Sequence, residues 1–484
     1  MTPRPTFIST VSLTLLLTAC STGPDYHRPD APQSGAGVEG TWKEGANWRS
    51  AAPHDTAERG AWWTVLQDPE LDRFEQQVAI SNQNLQAAEA AWRQATAALA
   101  GDRSAYAPTI GADAGARRSG AGPMSFSDVT NHGGSNLTAD HFVVEGTASW
   151  TPDLWGRIRR TVEGGTATAQ ASAADLAGAR LSAQAALAIL YLQLRTADEQ
   201  QRLLQATVTA NERALTIARN QHKAGLVSNA DVLQAEAQVA GVRAQIIALG
   251  VPRAQAEHAI AVLIGQPPSA LTIAPREGLP SLPEVPLLVP SALLERRPDI
   301  AAAERRMAAA NAQIGVAEAA YYPDLTLSGA IGFGGASAGS LLLAPNLLWS
   351  VGGQLAGTLF DGGARDAKVE GARAAWDQSV ALYRQAVLIA FQQVEDDLAA
   401  GRILGEQAVL QNQAQVAADE AARVSLNQYQ AGTISYTAVI IAQNVATNDR
   451  IAALQVQSNR LIAAVNLITA LGGGWDASHP AEKP

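Results

Sequence analysis

Leu325-Thr326-Leu327-Ser328-Gly329-Ala330-Ile331-Gly332-Phe333 sets Leu325, Leu327, Ile331 and Phe333 against Thr326, Ser328, Ala330 and Gly332. A period of two marks an extended chain with one apolar face. The pattern recurs at Trp349, Val351, Leu355 and Leu359 against Ser350, Gln354 and Thr358. In the first half of the chain it appears at Ile110, Ala112, Ala114 and Ala116, then at Phe142, Val144, Gly146, Ala148 and Trp150. Alternating segments of about ten residues suit transmembrane barrel strands, but a soluble half-buried hairpin alternates in the same way.

The flanking sequence weighs against the soluble alternative. No proline occurs from Arg157 to Ala224 or from Ala364 to Ala431, and each run predicts a helix roughly 100 Å long at 1.5 Å per residue. Return helices follow over 229–264 and 437–471. Leu187, Leu190, Tyr191 and Leu194 form one helical stripe, and Ile451, Leu454, Ser458, Leu461, Val465 and Ile468 have the spacing of a coiled-coil seam. Pro252 is expected to kink the first return helix. Before the first strand, Asp68-Pro69 reads as a cap and first helical position, with a break between Ser81 and Asn84.

These parts occur twice. Asn84 to Pro108 resembles Asp299 to Pro323, 215 positions on, and Asn220 to Gly225 resembles Asn427 to Gly432, 207 positions on. The expected organisation is a signal peptide at 1–19, an N-terminal segment at 20–60, and repeat 1 at 61–266 with strands near 108–118 and 141–151. A proline-rich connector follows at 267–298, then repeat 2 at 299–472 with strands near 323–334 and 347–360, and a tail at 473–484. Arg117 to Asp140 reads as a polar, glycine-rich loop. Helix–strand junctions fall at Pro108, Gly156, Pro323, Gly362 and Gly363.

The 484 residues carry a net charge of −10 and four lysines, which leaves no basic face for nucleic acid. Arg4, the apolar run Phe7 to Leu17 and the small residues Thr18 and Ala19 have the layout of a secretory signal. No later segment supplies the ~18 uncharged apolar residues of a transmembrane helix, so a membrane crossing has to be made by strands. Closed membrane barrels begin at eight strands, and an open edge in lipid leaves backbone groups unpaired. Four strands per chain therefore require partners. Three copies, with twelve strands, are the smallest set that closes around a wide lumen.

Leu17-Thr18-Ala19-Cys20 resembles a bacterial lipobox, which implies acylation of Cys20, the only cysteine. Cys20 to Pro29 and Leu293-Leu294-Glu295-Arg296-Arg297-Pro298-Asp299-Ile300 resemble the outer membrane efflux lipoproteins of the TolC-like family, over nearly the whole chain from Cys20 to Gly474. The resemblance implies an α+β membrane protein, a homotrimeric twelve-stranded barrel in outer membrane lipid continued by a helical barrel through the periplasm. Implied partners are a periplasmic adaptor protein and an inner membrane resistance-nodulation-division transporter, with efflux of small molecules as the function. No cofactor is implied beyond the lipid on Cys20. Gly225, Ser228 and Asp231, with Gly432, Ser435 and Tyr436, are implied to form the periplasmic tips that dock the adaptor and close the pore. Relatives often carry acidic residues after the second turn; here Ala438 and Ile441 stand there, and Asp231 holds the matching place in the first copy, so a mainly apolar, hydrogen-bonded gate is expected.

Gly335-Ala336-Ser337-Ala338-Gly339 fits the nucleophile-elbow pattern but lacks a following helix and an ordered acid and histidine. The seven histidines show no zinc spacing. No enzyme and no metal site is expected. A TolC-like duct for protein secretion and a structural envelope lipoprotein are the competing functions; the lipobox favours efflux over the first, and the paired strands argue against the second.

Overall fold

A computed structural model describes residues 22–30, 42, 59–121, 137–283 and 297–473. The element order repeats: α1 (Pro69–Ser81), α2 (Gln83–Ser104), β1 (Thr109–Ala121), β2 (Leu137–Trp150), α3 (Arg157–Lys223), α4 (Asn229–Leu263), then α5 (Pro298–Ala319), β3 (Asp324–Gly335), β4 (Leu347–Ala356), α6 (Ala364–Gln430) and α7 (Tyr436–Ala470). Helices α3 and α6 have 67 residues each, and α4 and α7 have 35 each. Since α3 and α6 start 207 positions apart, the change from the earlier offset of 215 falls in the hairpins.

The chain forms two compact units. One unit comprises Met1–Pro29, Arg93–Gln170 and Glu304–Ala381 and holds a four-stranded antiparallel sheet in the order β1-β2-β3-β4. Two boundaries differ from the sequence reading. Strands β1 and β2 pair as far as Ala121 opposite Leu137, so Arg117–Ala121 and Leu137–Asp140 belong to strands. Polar side chains are tolerated there because residues 109–120 and 138–150 of this ladder are all exposed or only partly covered. Strand β4 ends at Ala356 rather than near 360: its last partner is Asp324, and Pro323 beyond it has no N–H to offer.

The second unit comprises Asp30–Trp92, Ala171–Ala303 and Leu382–Pro484. Its core gathers Trp62, Trp63, Leu66, Leu71 and Phe74 against Leu187, Tyr191 and Leu194 of the predicted stripe and Leu461 and Val465 of the predicted seam. Asp68 caps α1 by accepting from the Glu70 and Leu71 N–H groups, and Asn82 breaks the helix at ψ 120°. The connector opens with one 3-10 turn at Pro268–Ala270 and shows no regular element from there to Pro283; its remainder, 284–296, lies outside the described residues. Helix α4 runs through Pro252 as one element, and an 18-residue window of it reaches a mean hydropathy of 1.2. Lipid would supply no partner for its Arg253, which pairs with Asp198 at 2.6 Å and Glu257 at 3.0 Å.

Candidate functional site

Strand register sorts the sheet into two faces. Ile331 lies opposite Gly146 and Trp349; Leu327 lies opposite Trp150 and Gly353; Ala114 lies opposite Val144. One face therefore carries every large apolar side chain of the predicted alternation. The other carries Gly111, Asp113, Glu145, Thr147, Ser328, Ser350 and Gln354, mostly small or polar. The apolar face is bare: Ile110 is 79%, Trp349 73% and Val351 83% exposed. Strands β1 and β4 each pair on one side only within the described residues.

Pro108 and Pro323 stand immediately before β1 and β3, and Gly156 and Gly363 immediately before α3 and α6. Gly156, Gly362 and Gly363 take φ of +80°, +65° and +91°, a region a Cβ disfavours. The Asp153 carboxylate then accepts from the Ile158 and Arg159 N–H groups at 2.9 and 2.8 Å, starting α3. The Trp150 indole N–H donates to the Tyr106 carbonyl before Pro108, and the Trp155 indole N–H donates to the Pro323 carbonyl.

Cys20 lies outside the described residues, which begin at Thr22. From there a strap crosses the sheet unit. The Thr22 hydroxyl donates to the Trp155 carbonyl at 2.7 Å; Arg160 donates to the Thr22 and Gly23 carbonyls and pairs with Asp25 at 2.8 Å. The Asn311 amide donates to the Pro24 carbonyl, and the Tyr26 hydroxyl donates to Glu304 at 2.5 Å. Burial and this carboxylate hold the Tyr26 hydroxyl protonated well above its usual range.

At the helix turns, Gly225 and Gly432 both take φ +74°. Leu226 N–H donates to the Gln221 carbonyl and Gly225 N–H to the His222 carbonyl, and Thr433 and Gly432 repeat the pair, which is the Schellman closure. Ser228 and Asp231 form a capping box on α4, whereas Ser435 caps α7 without a side-chain bond. Tyr436 is buried against Tyr429, ring centroids 5.2 Å apart, and neither hydroxyl has a partner among the described residues. Burial first, and Tyr429 second, pushes the Tyr436 hydroxyl up to about 12. Asp231 is thus committed to its helix end. Asp231→Asn removes a charge from the first turn of α4 and is expected to cost roughly 0.3–1 kcal/mol of helix stability and to leave single-channel conductance insensitive to millimolar divalent cations; strong divalent block abolished only by this change would contradict an apolar gate. No cluster of three metal-ligating side chains occurs among the described residues.

Sequence reasoning placed Asp68 as a cap but did not reach the polar contacts inside the second unit. Asp68 accepts from the Tyr191 hydroxyl at 2.9 Å and pairs with Arg195 at 3.2 Å and Arg276 at 3.1 Å. Arg297, from the connector motif, donates to the Ala470 carbonyl at the end of α7 and pairs with Asp299. Glu75 is fully buried, and neither carboxyl oxygen has a partner among the described residues. Burial, then the neighbouring Asp72, pushes its carboxyl from 4.5 up to about 9. The folded chain keeps this proton while the unfolded chain releases it, so the group's contribution to stability falls as pH rises from 4.5 to about 9. Glu75→Gln is expected to melt with wild type near pH 4.5 and above it at pH 8, read by thermal unfolding.

Ser337 of the elbow-like pattern sits in the β3–β4 loop, bonded to the Ser340 hydroxyl. The next regular element is the 3-10 turn Ala344–Asn346, so the required helix is missing there.

An antiparallel sheet with one bare apolar face, in a chain with two helices of 67 residues, defines an α+β protein whose sheet lacks a covering layer among the described residues. Two stretches, 75–266 and 289–473, match the model of a family described as outer membrane efflux protein. The chain is similar to the pyoverdine export outer membrane protein OpmQ of Pseudomonas aeruginosa, 33% identical over 97% of both chains. It is similar to the toluene efflux pump outer membrane protein TtgC of Pseudomonas putida, 28% identical over 95% of this chain and 94% of that one. The solved outer-membrane channel OprN is 30% identical with a TM-score of 0.84, over 94% of this chain and 100% of that one. The chain belongs to the outer membrane efflux protein family. Its role is that of the outer membrane channel component of an efflux pump.

Proposed function

We propose that three copies join into a passive duct that exports small molecules, anchored by a lipid on Cys20 and coupled to a periplasmic adaptor and an inner membrane resistance-nodulation-division transporter. The observation that carries this reading is the four-stranded meander, with both edges unpaired among the described residues and its apolar face bare. In lipid each unpaired backbone group costs several kcal/mol. In this meander β4 runs antiparallel to β1, so β4 of one copy can pair with β1 of the next, and the ring closes at twelve strands. The small and polar face then lines the lumen.

A second, independent feature supports joining of copies. Leu382, Ile389, Ile403, Leu410 and Val424 of α6 recur at multiples of seven, and all are at least 38% exposed in the single chain. Such a seam is completed by a helix from another copy. The strap from Thr22 to Pro29 begins two residues after Cys20 and holds the start of the mature chain against the helix–strand junction, where an acyl chain reaches the membrane. The duct catalyses no reaction; the pump supplies energy and selects the compound.

Planar-bilayer recording from the purified protein tests the reading. Stable single-channel steps are expected, and a protein that only braces the envelope would show none.

A further inference from the structure

Beside the strap, the sheet unit contains a cleft of about 840 Å³ that the duct reading leaves unused. Its walls come from the end of α5, the start of α6, the residue Trp155 and the strap residues Thr22 and Gly23. Trp155 stacks on Tyr322 with centroids 4.8 Å apart, and the Tyr321 hydroxyl donates to Asp366. Arg373 pairs with Glu318 at 3.0 Å. Glu370 lines the cleft with no hydrogen-bond or ion-pair partner among the described residues.

We infer that this cleft binds the headgroup of an ethanolamine phospholipid from the periplasmic leaflet of the outer membrane. Three features carry this, given the outer membrane reading. The first is position: Tyr321 and Tyr322 lie just before Pro323 and β3, and Trp155 follows the end of β2 at Trp150, so the cleft lies where the apolar strand face begins. Tyrosine and tryptophan favour that level because their rings are apolar and their tips polar. The second is charge. Three carboxylates, Glu318, Asp366 and Glu370, oppose one guanidinium, Arg373. A primary ammonium meets the unpaired Glu370 and the aromatic faces, while the lipid phosphate meets Arg373. A headgroup without a cation would bring a phosphate into this acidic wall with Arg373, already paired with Glu318, as the sole lining cation to offset it. The third is size: about 840 Å³ falls within the roughly 300–1,000 Å³ of small-molecule clefts.

The test uses the full-length protein, extracted from its membrane in mild detergent, washed extensively and analysed for retained lipid by mass spectrometry. The wild-type protein is expected to retain ethanolamine phospholipid several-fold over glycerol-headgroup phospholipid relative to their membrane abundance. Glu370→Lys, at an exposed position where lysine fits without repacking, is expected to abolish that preference while single-channel conductance stays unchanged. Equal retention of the two headgroups by wild type, or an unaltered preference in Glu370→Lys, would overturn the inference. Conductance is read separately, so failure of the duct reading is distinguishable from failure of this one.

Discussion

Val351→Arg is expected to eliminate assembled protein from the outer membrane, while Ser350→Arg, one residue away, leaves it assembled. Val351 lies mid-strand in β4, opposite Gly329 and on the face of Trp349 and Leu355, and is 83% exposed. A guanidinium on the lipid side of a barrel costs roughly 2–4 kcal/mol at the bilayer midplane, and a closed assembly meets that cost once per copy. Ser350 lies on the opposite face, where in the proposed duct lumen water would solvate the charge. Heat-resistant oligomers in outer membrane fractions, with drug susceptibility of the host, give the readout. Equal tolerance of both changes would sink the assignment of faces, as would the reverse order.

Asp68→Ala is the second large effect, and it acts on stability rather than insertion. The side chain caps α1, accepts from Tyr191 and faces two guanidiniums, and Arg195 beside it is 4% exposed. Removing one member of a buried pair leaves the other charge uncompensated, which costs about 3–5 kcal/mol. The lost cap adds about 1 kcal/mol. Denaturant unfolding of the purified protein should show a markedly lower midpoint, with Asp68→Asn intermediate because it still caps. An Asp68→Ala midpoint within experimental error of wild type would mean that the Arg195 charge is solvated in a way the hub geometry does not provide.

These cases show what the sequence makes legible. Periodicity and proline spacing locate all four strands and both long helices to within a few residues, because each depends on local pattern: alternation for Leu325 to Phe333, and freedom from proline for Arg157 to Ala224. Glycines at Gly225 and Gly432 announce their turns because the left-handed region selects that residue. The same reasoning read Asp68 only as a helix cap, overlooked Arg160, and read Arg297 only as part of a motif. Their partners stand 123, 135 and 173 positions away, and no local pattern encodes such distances. Asp231 was legible in the other sense: its spacing from Ser228 marks a capping box, yet its position among related tips drew attention to the pore. Glu75 was invisible because a glutamate two turns into an amphipathic helix reads as solvated, and only packing reveals its burial. The ends of β1 and β4 shifted because ladder length depends on the partner strand, as with Pro323, rather than on the strand's own residues.

Counting the chains in one detergent-solubilised particle by native mass spectrometry puts the greatest strain on the idea that an open four-stranded sheet needs neighbours to survive in lipid. Particles of three chains are predicted under conditions that preserve folding. A monomer that keeps its strand signal and remains inserted would show that the edges tolerate the bilayer unaided, and would contradict the account.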